Sequence, residues 1–515
     1  MNKTKIYTPG IIVFLICLFI VVAIYLFVLN NTIWPLISCI VICFLLNTLA
    51  IWYIFNSYKC WYSKASWTFI ISIFPIIGLL AFFIFGINPL RKKTREKYLQ
   101  SQKYFLEYED FSTTNHLLKF NNKSLPIFSY GLFNMHKAIH YCNIKIIDDN
   151  SELFYHTINL IRSAKQYINI QCFIINFNGF WTRFIFAELI KKANEGVKIR
   201  LIYDWVGIHK RIKQNTLNWL RKYGIEVACF NPKGITKFKA TTNYRIHSKF
   251  IIVDNKICMY GGSNLSDEYL SMSFNQPHWQ DLNFIIHGPI VTTMNITFIN
   301  YWINFTKKPK NKYSNQNMYN DTSLILAKKK FNHSNSLSQL LVFDPNYNEF
   351  ILEKVFCNLV YNAKKSIKIL TPYFCMPPSF INALRFCHNK KIDIELIAHN
   401  KNQRYVQMIN RENYSQLINW GIKVYEYDGY LHSKCVIIDD EYALVGSCNF
   451  DYRSIYMSFE SAIIVYDKQI ISKLIQNFHK TRENSVLLTR PFITTKLNLW
   501  TKFILKLLNV GKSLF

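Results

Sequence analysis

A chain of 515 residues exceeds the usual limit of one hydrophobic core, so two or more folding units are expected. Half of it is hydrophobic, which excludes a disordered chain, and 61 basic against 31 acidic residues leave a net charge of +30 that calls for a polyanionic partner. Thirteen cysteines, with no CxxC pair and no His/Cys cluster of zinc-ligand spacing, exclude a disulfide framework and give no metal site or other cofactor.

Three apolar runs open the chain: Ile11 to Leu29, Ile33 to Phe55 and Trp67 to Ile87. Each is close to the roughly 20 residues that cross a bilayer core, so residues 1–97 are expected to be a membrane region with two or three transmembrane helices. Lys59 and Lys64 in the second loop leave the number of spans open. Arg91, Lys92, Lys93, Arg95 and Lys97 come directly after the third run. Such a juxtamembrane cluster is attracted to anionic lipid by about 1 kcal/mol per residue, which favours a membrane over nucleic acid as the polyanion and puts the C-terminal body of the chain on the cytoplasmic side. Cys172, Cys258 and Cys435, set in apolar runs, fit a reducing compartment.

Residues 98–145 are expected to be a connector, and a pattern then repeats. In the first copy, residues 146–306, Tyr167 to Phe173, Gly196 to Tyr203 and Gly224 to Phe230 have the pattern of strands and Arg183 to Ala193 that of an amphipathic helix. After a linker over 307–340 rich in Lys, Asn and Ser, the second copy, 341–515, has strands at Ser366 to Leu370, Ile392 to Ile397 and Gly421 to Tyr425, with a helix near Phe380 to His388. Strands alternating with helices predict an α/β layer structure with mostly parallel pairing. The chain ends on an amphipathic helix, Trp500, Phe503, Ile504, Leu507 and Leu508 with Lys502, Lys506 and Lys512 between them, suited to docking on the body or to lying on a membrane.

Each copy ends in the same phrase. His247, Lys249, Asp254, Gly261 and Asn264 recur at equal offsets as His432, Lys434, Asp439, Gly446 and Asn449. Residues two apart on a strand share a face, so two such strands side by side bring two imidazoles and two ammonium groups into one pocket, a site for a phosphodiester. Phosphoryl transfer needs a nucleophile, a proton donor for the leaving oxygen, and donors for the equatorial oxygens. The histidine pair supplies the first two, and the lysines with Asn264 and Asn449 the third. Each imidazole needs an acceptor on its other nitrogen, and a carboxylate comes after each motif: Asp281 in His278-Trp-Gln-Asp281 and Glu460 in Ser458-Phe-Glu460. Asp254 and Asp439 are expected to brace the loop leading to the glycine turn.

The doubled His-x-Lys-x4-Asp motif resembles the phospholipase D superfamily, and within it the bacterial cardiolipin synthases. The phrases Phe74-Pro-Ile-Ile-Gly78, Phe85-Gly-Ile-Asn-Pro-Leu-Arg91, Gly261-Gly-Ser-Asn-Leu-Ser-Asp-Glu-Tyr269, Thr371-Pro-Tyr-Phe374, Tyr425-Glu-Tyr427 and Leu444-Val-Gly-Ser-Cys-Asn-Phe-Asp-Tyr-Arg-Ser454 carry that resemblance. It implies two similar halves about a pseudo-twofold axis, N-terminal transmembrane helices, and a multi-pass protein of the cell membrane. It implies passage of a phosphatidyl group from one phosphatidylglycerol to His247 and then to the headgroup hydroxyl of a second, with His432 as general acid and base and Asp281 and Glu460 as imidazole partners. Gly262 stands where the second half has Ser447, a departure between the halves. Another phosphatidyltransferase or a hydrolytic phospholipase D that transfers to water, a nuclease on the same fold and a binding module with a dead site are the alternatives; the membrane segments weigh against the nuclease and two intact motifs against the dead site.

Overall fold

In the computed structural model the described residues are 25, 33–57, 60–86, 95–96, 98–101, 103, 139–208, 214–230, 244–271, 278–306, 336–345, 350–399, 404–490 and 498–511. They belong to two compact units, one formed by Met1–Arg91, Lys233–Asn243 and Leu507–Phe515, the other by Lys92–Pro232 and Tyr244–Lys506. The first apolar run except Tyr25, the basic cluster except Arg95, and most of the linker lie outside the described residues.

In the first unit, residues Trp34–Phe55 form one helix, begun with Pro35 in the first turn, where its missing N–H has no intrahelical partner to lose. Lys64 caps its other end, donating to the Phe55 carbonyl at 2.7 Å. The third apolar run is broken. Helix Trp61–Ile73 stops at Phe74, whose φ of −121° and ψ of 74° are not helical, and a short helix, Pro75–Ala81, runs into a π-turn, Phe82–Gly86. Pro75 cannot supply the N–H that would continue the first helix. The pieces fold back so closely that a Cβ on Gly78 would lie 2.6 Å from the Ile70 carbonyl oxygen. Ala50, Ile54, Trp67, Ile71, Leu79 and Phe82 form a small core there. Among the described residues no helix is long and apolar enough to cross a membrane, which corrects the expectation of N-terminal transmembrane helices.

The second unit is built on one sheet of sixteen strands among the described residues. The first half contributes β1 (His140–Ile147), β2 (Tyr167–Cys172), β3 (Lys198–Asp204), β4 (Glu226–Phe230), β5 (Arg245–Ile246), β6 (Phe250–Val253), β7 (Ile257–Gly261), the short β8 (Trp279–Gln280), and β9 (Asn283–His287). The second contributes β10 (Ser336–Phe343), β11 (Ser366–Thr371), β12 (Phe374–Cys375), β13 (Asp393–His399), β14 (Lys423–Tyr427), β15 (Tyr430–Leu431), β16 (Cys435–Ile438), β17 (Tyr442–Gly446), β18 (Phe450–Asp451), β19 (Ser458–Val465) and β20 (Ser485–Leu487). In the sheet of sixteen the order reads β20-β14-β13-β11-β16-β17-β19-β10-β1-β9-β7-β6-β2-β3-β4, with β5 beside β19, a near-palindrome about β10 and β1; β12 with β18 and β15 with β8 form two separate pairs. These central strands pair antiparallel, His140 opposite Ser338. β1 begins inside the stretch expected as connector and β10 inside the expected linker.

The longer parallel pairings are β2-β3-β4 and β11-β13-β14, with two-residue parallel contacts of β5 on β19, β8 on β15 and β12 on β18; each motif strand, β6 or β16, folds back antiparallel on β7 or β17. The reason is a tight turn: Asp254 and Asn255 in one half, Asp439 and Asp440 in the other, all hold φ between 53° and 57°, a conformation short Asx side chains tolerate. Alternation puts Ile252, Cys258 and Phe284 on one face, under helix Ile290–Phe305, and Ile251, Met259 and Ile285 on the other, under helices Asn150–Arg162 and Phe180–Asn194. The first of these cores runs on beneath the second half through Ile437, Val445 and Ile463.

Candidate active site

The halves are stitched together just upstream of each motif. β5 runs parallel to the start of β19, Arg245 opposite Ser458 and Ile246 opposite Phe459; β15 does the same with β8, Tyr430 opposite Trp279 and Leu431 opposite Gln280. The exchange continues into the motifs. The backbone N–H groups of His247 and Ser248 both donate to the Phe459 carbonyl, at 2.9 and 3.0 Å, and that of His432 donates to the Gln280 carbonyl at 2.7 Å.

The residue after each of those carbonyls is a carboxylate, so the stitching fixes the imidazole partners. His247 Nδ1 lies 3.0 Å from Glu460 Oε1, and His432 Nδ1 lies 2.8 Å from Asp281 Oδ2. Each histidine is therefore held by the carboxylate of the other half. The carboxylate side chains are 0 and 3% exposed and the imidazoles 15 and 14%, so one edge of each ring remains open while its anchor is sealed. With Nδ1–H donated to a carboxylate, the lone pair of a neutral ring is on Nε2.

The anchors are themselves held. Glu460 accepts from the Ser447 hydroxyl at 2.5 Å and the Ser454 hydroxyl at 2.8 Å. Asp281 accepts from the Ser263 hydroxyl at 3.1 Å and its neighbour's N–H, that of Leu282, at 2.8 Å. The glycine that departs from Ser447 is explained here: a Cβ on Gly262 would lie 2.3 Å from Asp281 Oδ1, so the shorter carboxylate fills the space. Phe173 packs edge-on against His247, and Tyr269 against His432 with Trp279 beside it.

Lys249 and Lys434 are buried beside the rings. Lys249 Nζ donates to the His247 carbonyl at 2.5 Å; Lys434 Nζ donates to the His432 carbonyl and lies 2.8 Å from His432 Nδ1. Burial, then the Lys434 charge, pushes the His432 pKa down to about 3; burial lowers His247 as well, against the pull of Glu460. Burial also lowers Lys249, and brings Lys434 down to about 7. The carboxyls of Asp281 and Glu460 stay below their ordinary values despite burial, held there first by the histidine each one faces. These shifts favour carboxylate forms of Asp281 and Glu460 and neutral imidazoles, and a phosphate anion beside the rings would shift them toward protonation.

The remaining expected residues divide. Asp254 comes after β6, at the opposite end of that strand from His247, and accepts the N–H groups of Lys165, Gln166 and Tyr167, each at 2.8 Å. Asp439 does the same for Lys364, Lys365 and Ser366. Both therefore clamp the start of the neighbouring strand rather than the loop toward the glycine turn. Asn264 is committed at both ends, Oδ1 accepting from Ile174 N–H at 3.0 Å and Nδ2 donating to the Tyr269 hydroxyl at 2.7 Å. Asn449 is 8% exposed, and its buried Oδ1 has no hydrogen-bond partner among the described residues.

Ser263 and Ser454 were not expected as supports. Both lie inside the motif phrases, but nothing in the sequence says which carboxylate each one meets.

The family described as "Cardiolipin synthase, PLD-like domain" matches residues 157–302 and 356–482, just over half of the chain. The cardiolipin synthase of Staphylococcus aureus (strain N315) is 30% identical over 453 residues, covering 85% of this chain and 88% of that one. The cardiolipin synthase of Halalkalibacterium halodurans is 29% identical over 419 residues, covering 80% and 81%. Among solved structures, the phosphatidylserine synthase of Haemophilus influenzae Rd KW20 superposes with a TM-score of 0.59 at 15% identity, over 76% of this chain and all of that one, a likeness of fold. With the doubled motif, the stitched halves and a match to both, the chain belongs to the cardiolipin synthase family of phospholipase D-like proteins.

Proposed function

We infer that the chain is a phosphatidyltransferase that makes cardiolipin and glycerol from two molecules of phosphatidylglycerol. The observation that carries this is the crossed pair of imidazoles, each held through Nδ1 by a buried carboxylate of the other half, in a chain of this family. His247 Nε2 attacks phosphorus, and the bond from phosphorus to the glycerol oxygen breaks as His432 gives that oxygen a proton. The phosphate anion, on entering, raises the His432 pKa from its low resting position and so equips it as the acid. In the second step His432 takes the proton of the incoming headgroup hydroxyl, the phosphorus–nitrogen bond breaks, and the new ester forms. Lys249, Lys434 and Asn449 stabilise the charge on the equatorial oxygens.

The substrate lies in a bilayer, and the body works at the surface of the cell membrane on its cytoplasmic side. The net charge of +30 and the exposed Leu499, Trp500 and Phe503 of helix Leu499–Gly511 support that placement, since a basic chain with interfacial aromatics is drawn to anionic lipid.

The test is to give purified enzyme labelled phosphatidylglycerol in vesicles and identify the products by mass spectrometry. Cardiolipin and glycerol in equal amounts support the reading; phosphatidic acid as the sole lipid product replaces it with hydrolysis. Acid-labile label trapped on His247, and absent after His247→Ala, tests the assignment of nucleophile.

A further inference from the structure

Cardiolipin formation, the reading this inference rests on, sets a condition that hydrolysis does not. The acceptor carries a phosphodiester of its own, so the site must admit a second anion, a three-carbon bridge away from the reacting one. The histidines, lysines and their carboxylates come in matched pairs across the two halves, but the residues after each asparagine do not. Asn264-Leu-Ser-Asp-Glu268-Tyr269 in the first half stands against Asn449-Phe-Asp-Tyr-Arg453-Ser454 in the second. A carboxylate on one side, Glu268, is replaced on the other by a guanidinium.

Arg453 is tethered to the site. Its chain neighbour Ser454 donates at 2.8 Å to Glu460, the carboxylate that holds His247. Asp451, two residues before it, feels the charges of Glu460 and Arg453 and is in turn felt by Lys434. Yet the Arg453 side chain is exposed and forms no hydrogen bond or ion pair with a described residue. Other arginines of this unit are committed: Arg245 to Asp204 at 3.3 Å, Arg411 to Glu426 at 2.6 Å, and Arg482 to Glu395 at 3.1 Å. Asp451 makes no ion pair with Arg453 among the described residues, and its carboxylate accepts the Ser454 N–H at 2.7 Å.

We propose that Arg453 binds the phosphate of the acceptor lipid, and so selects an acceptor that is itself a phosphodiester. A guanidinium suits the task, since its fork of donors matches two phosphate oxygens. Glu268 keeps the opposite rim unfavourable to a second anion and gives the acceptor one direction of approach.

The experiment uses the full chain and one donor, phosphatidylglycerol in phosphatidylcholine vesicles, with and without ethanol as a neutral acceptor. Phosphatidylethanol reports donor binding and the first chemical step; cardiolipin reports use of the anionic acceptor. Arg453→Gln is expected to lower cardiolipin formation at least about tenfold, through a raised KM for acceptor, while phosphatidylethanol formation stays within about twofold of the unsubstituted chain. Arg453→Lys is expected to recover part of the loss. Equal falls in both products, or no change in either, overturns the proposal. If the unsubstituted chain makes phosphatidylethanol but no cardiolipin, the proposed function itself fails, and the assignment of Arg453 with it.

Discussion

Glu460 of the second half anchors His247 of the first at 3.0 Å, although 213 positions separate them in the chain. The reciprocal pair, Asp281 with His432, makes the arrangement a cross, so neither half contains a complete imidazole–carboxylate unit. Replacing Glu460 by Gln, or Asp281 by Asn, is expected to cut kcat on the order of 10²–10⁴-fold, because the ring loses both its tautomer and its orientation. Either substitution should be comparable in effect to one in the opposite half, and the double substitution little worse than the single, as for groups acting as a unit. Initial rates on phosphatidylglycerol vesicles check this; additive losses would show that the two pairs work independently.

The shifted groups make a linkage prediction. His247 and His432 are lowered in the folded chain, with His432 near 3, so between about pH 6.5 and 3 the unfolded chain binds protons that the folded one refuses. Asp281 and Glu460 are lowered as well, and add to the loss below about pH 4.3. On the alkaline side Lys434, at about 7, is deprotonated in the folded chain well before the unfolded one, so stability rises from pH 7 toward 10. These terms have one sign, and the buried cysteines, raised by burial, oppose them only above about pH 8.5, so the thermal midpoint should climb from pH 4 to pH 8. Lys434→Met should flatten the alkaline part of that climb, and a midpoint that falls between pH 7 and 8 contradicts the assignment.

Much of this was legible in sequence because it is local or periodic. Tyr167 to Phe173 and Ser366 to Leu370 read as strands and fold as β2 and β11, and equal offsets between His247 and Asn264, and His432 and Asn449, announce the duplication. The crossing was not legible, because it depends on which chain segment lies beside β5 and β15, a tertiary choice with no periodic trace. β1 was missed because its exposed alternate residues, Tyr141, Asn143 and Lys145, dilute the apolar signal. For the third apolar run the transmembrane expectation failed because hydropathy averaged over the run ignored Pro75 within it.

The two motif asparagines, identical in sequence position, are expected to behave differently. Asn264→Ala removes bonds to Ile174 and Tyr269 and leaves a buried N–H without a partner, a change of about 1–3 kcal/mol in stability. Asn449→Ala removes an oxygen with no hydrogen-bond partner among the described residues, so the melting temperature should hold while kcat falls about 10- to 10³-fold through lost stabilisation of the equatorial oxygens. Melting curves and rates measured side by side separate the two; the opposite pattern would exchange their roles.

Asp254 and Asp439 give the sharpest contrast between a motif residue and a catalytic one. Each takes three backbone N–H groups at a strand start, and these are charge-assisted bonds in a buried setting. Asp254→Ala should therefore lower stability by about 2–4 kcal/mol, since three donors are orphaned at once. Asn keeps one acceptor and tolerates the left-handed backbone at φ of 53°, so Asp254→Asn should lose less. The decisive measurement is activity per folded molecule at low temperature. Asp254→Ala should retain kcat within about tenfold there, whereas His247→Ala should have none, because the clamp holds the strand and the imidazole does the chemistry. A folded Asp254→Ala chain as inactive as His247→Ala would return the aspartate to the reaction itself.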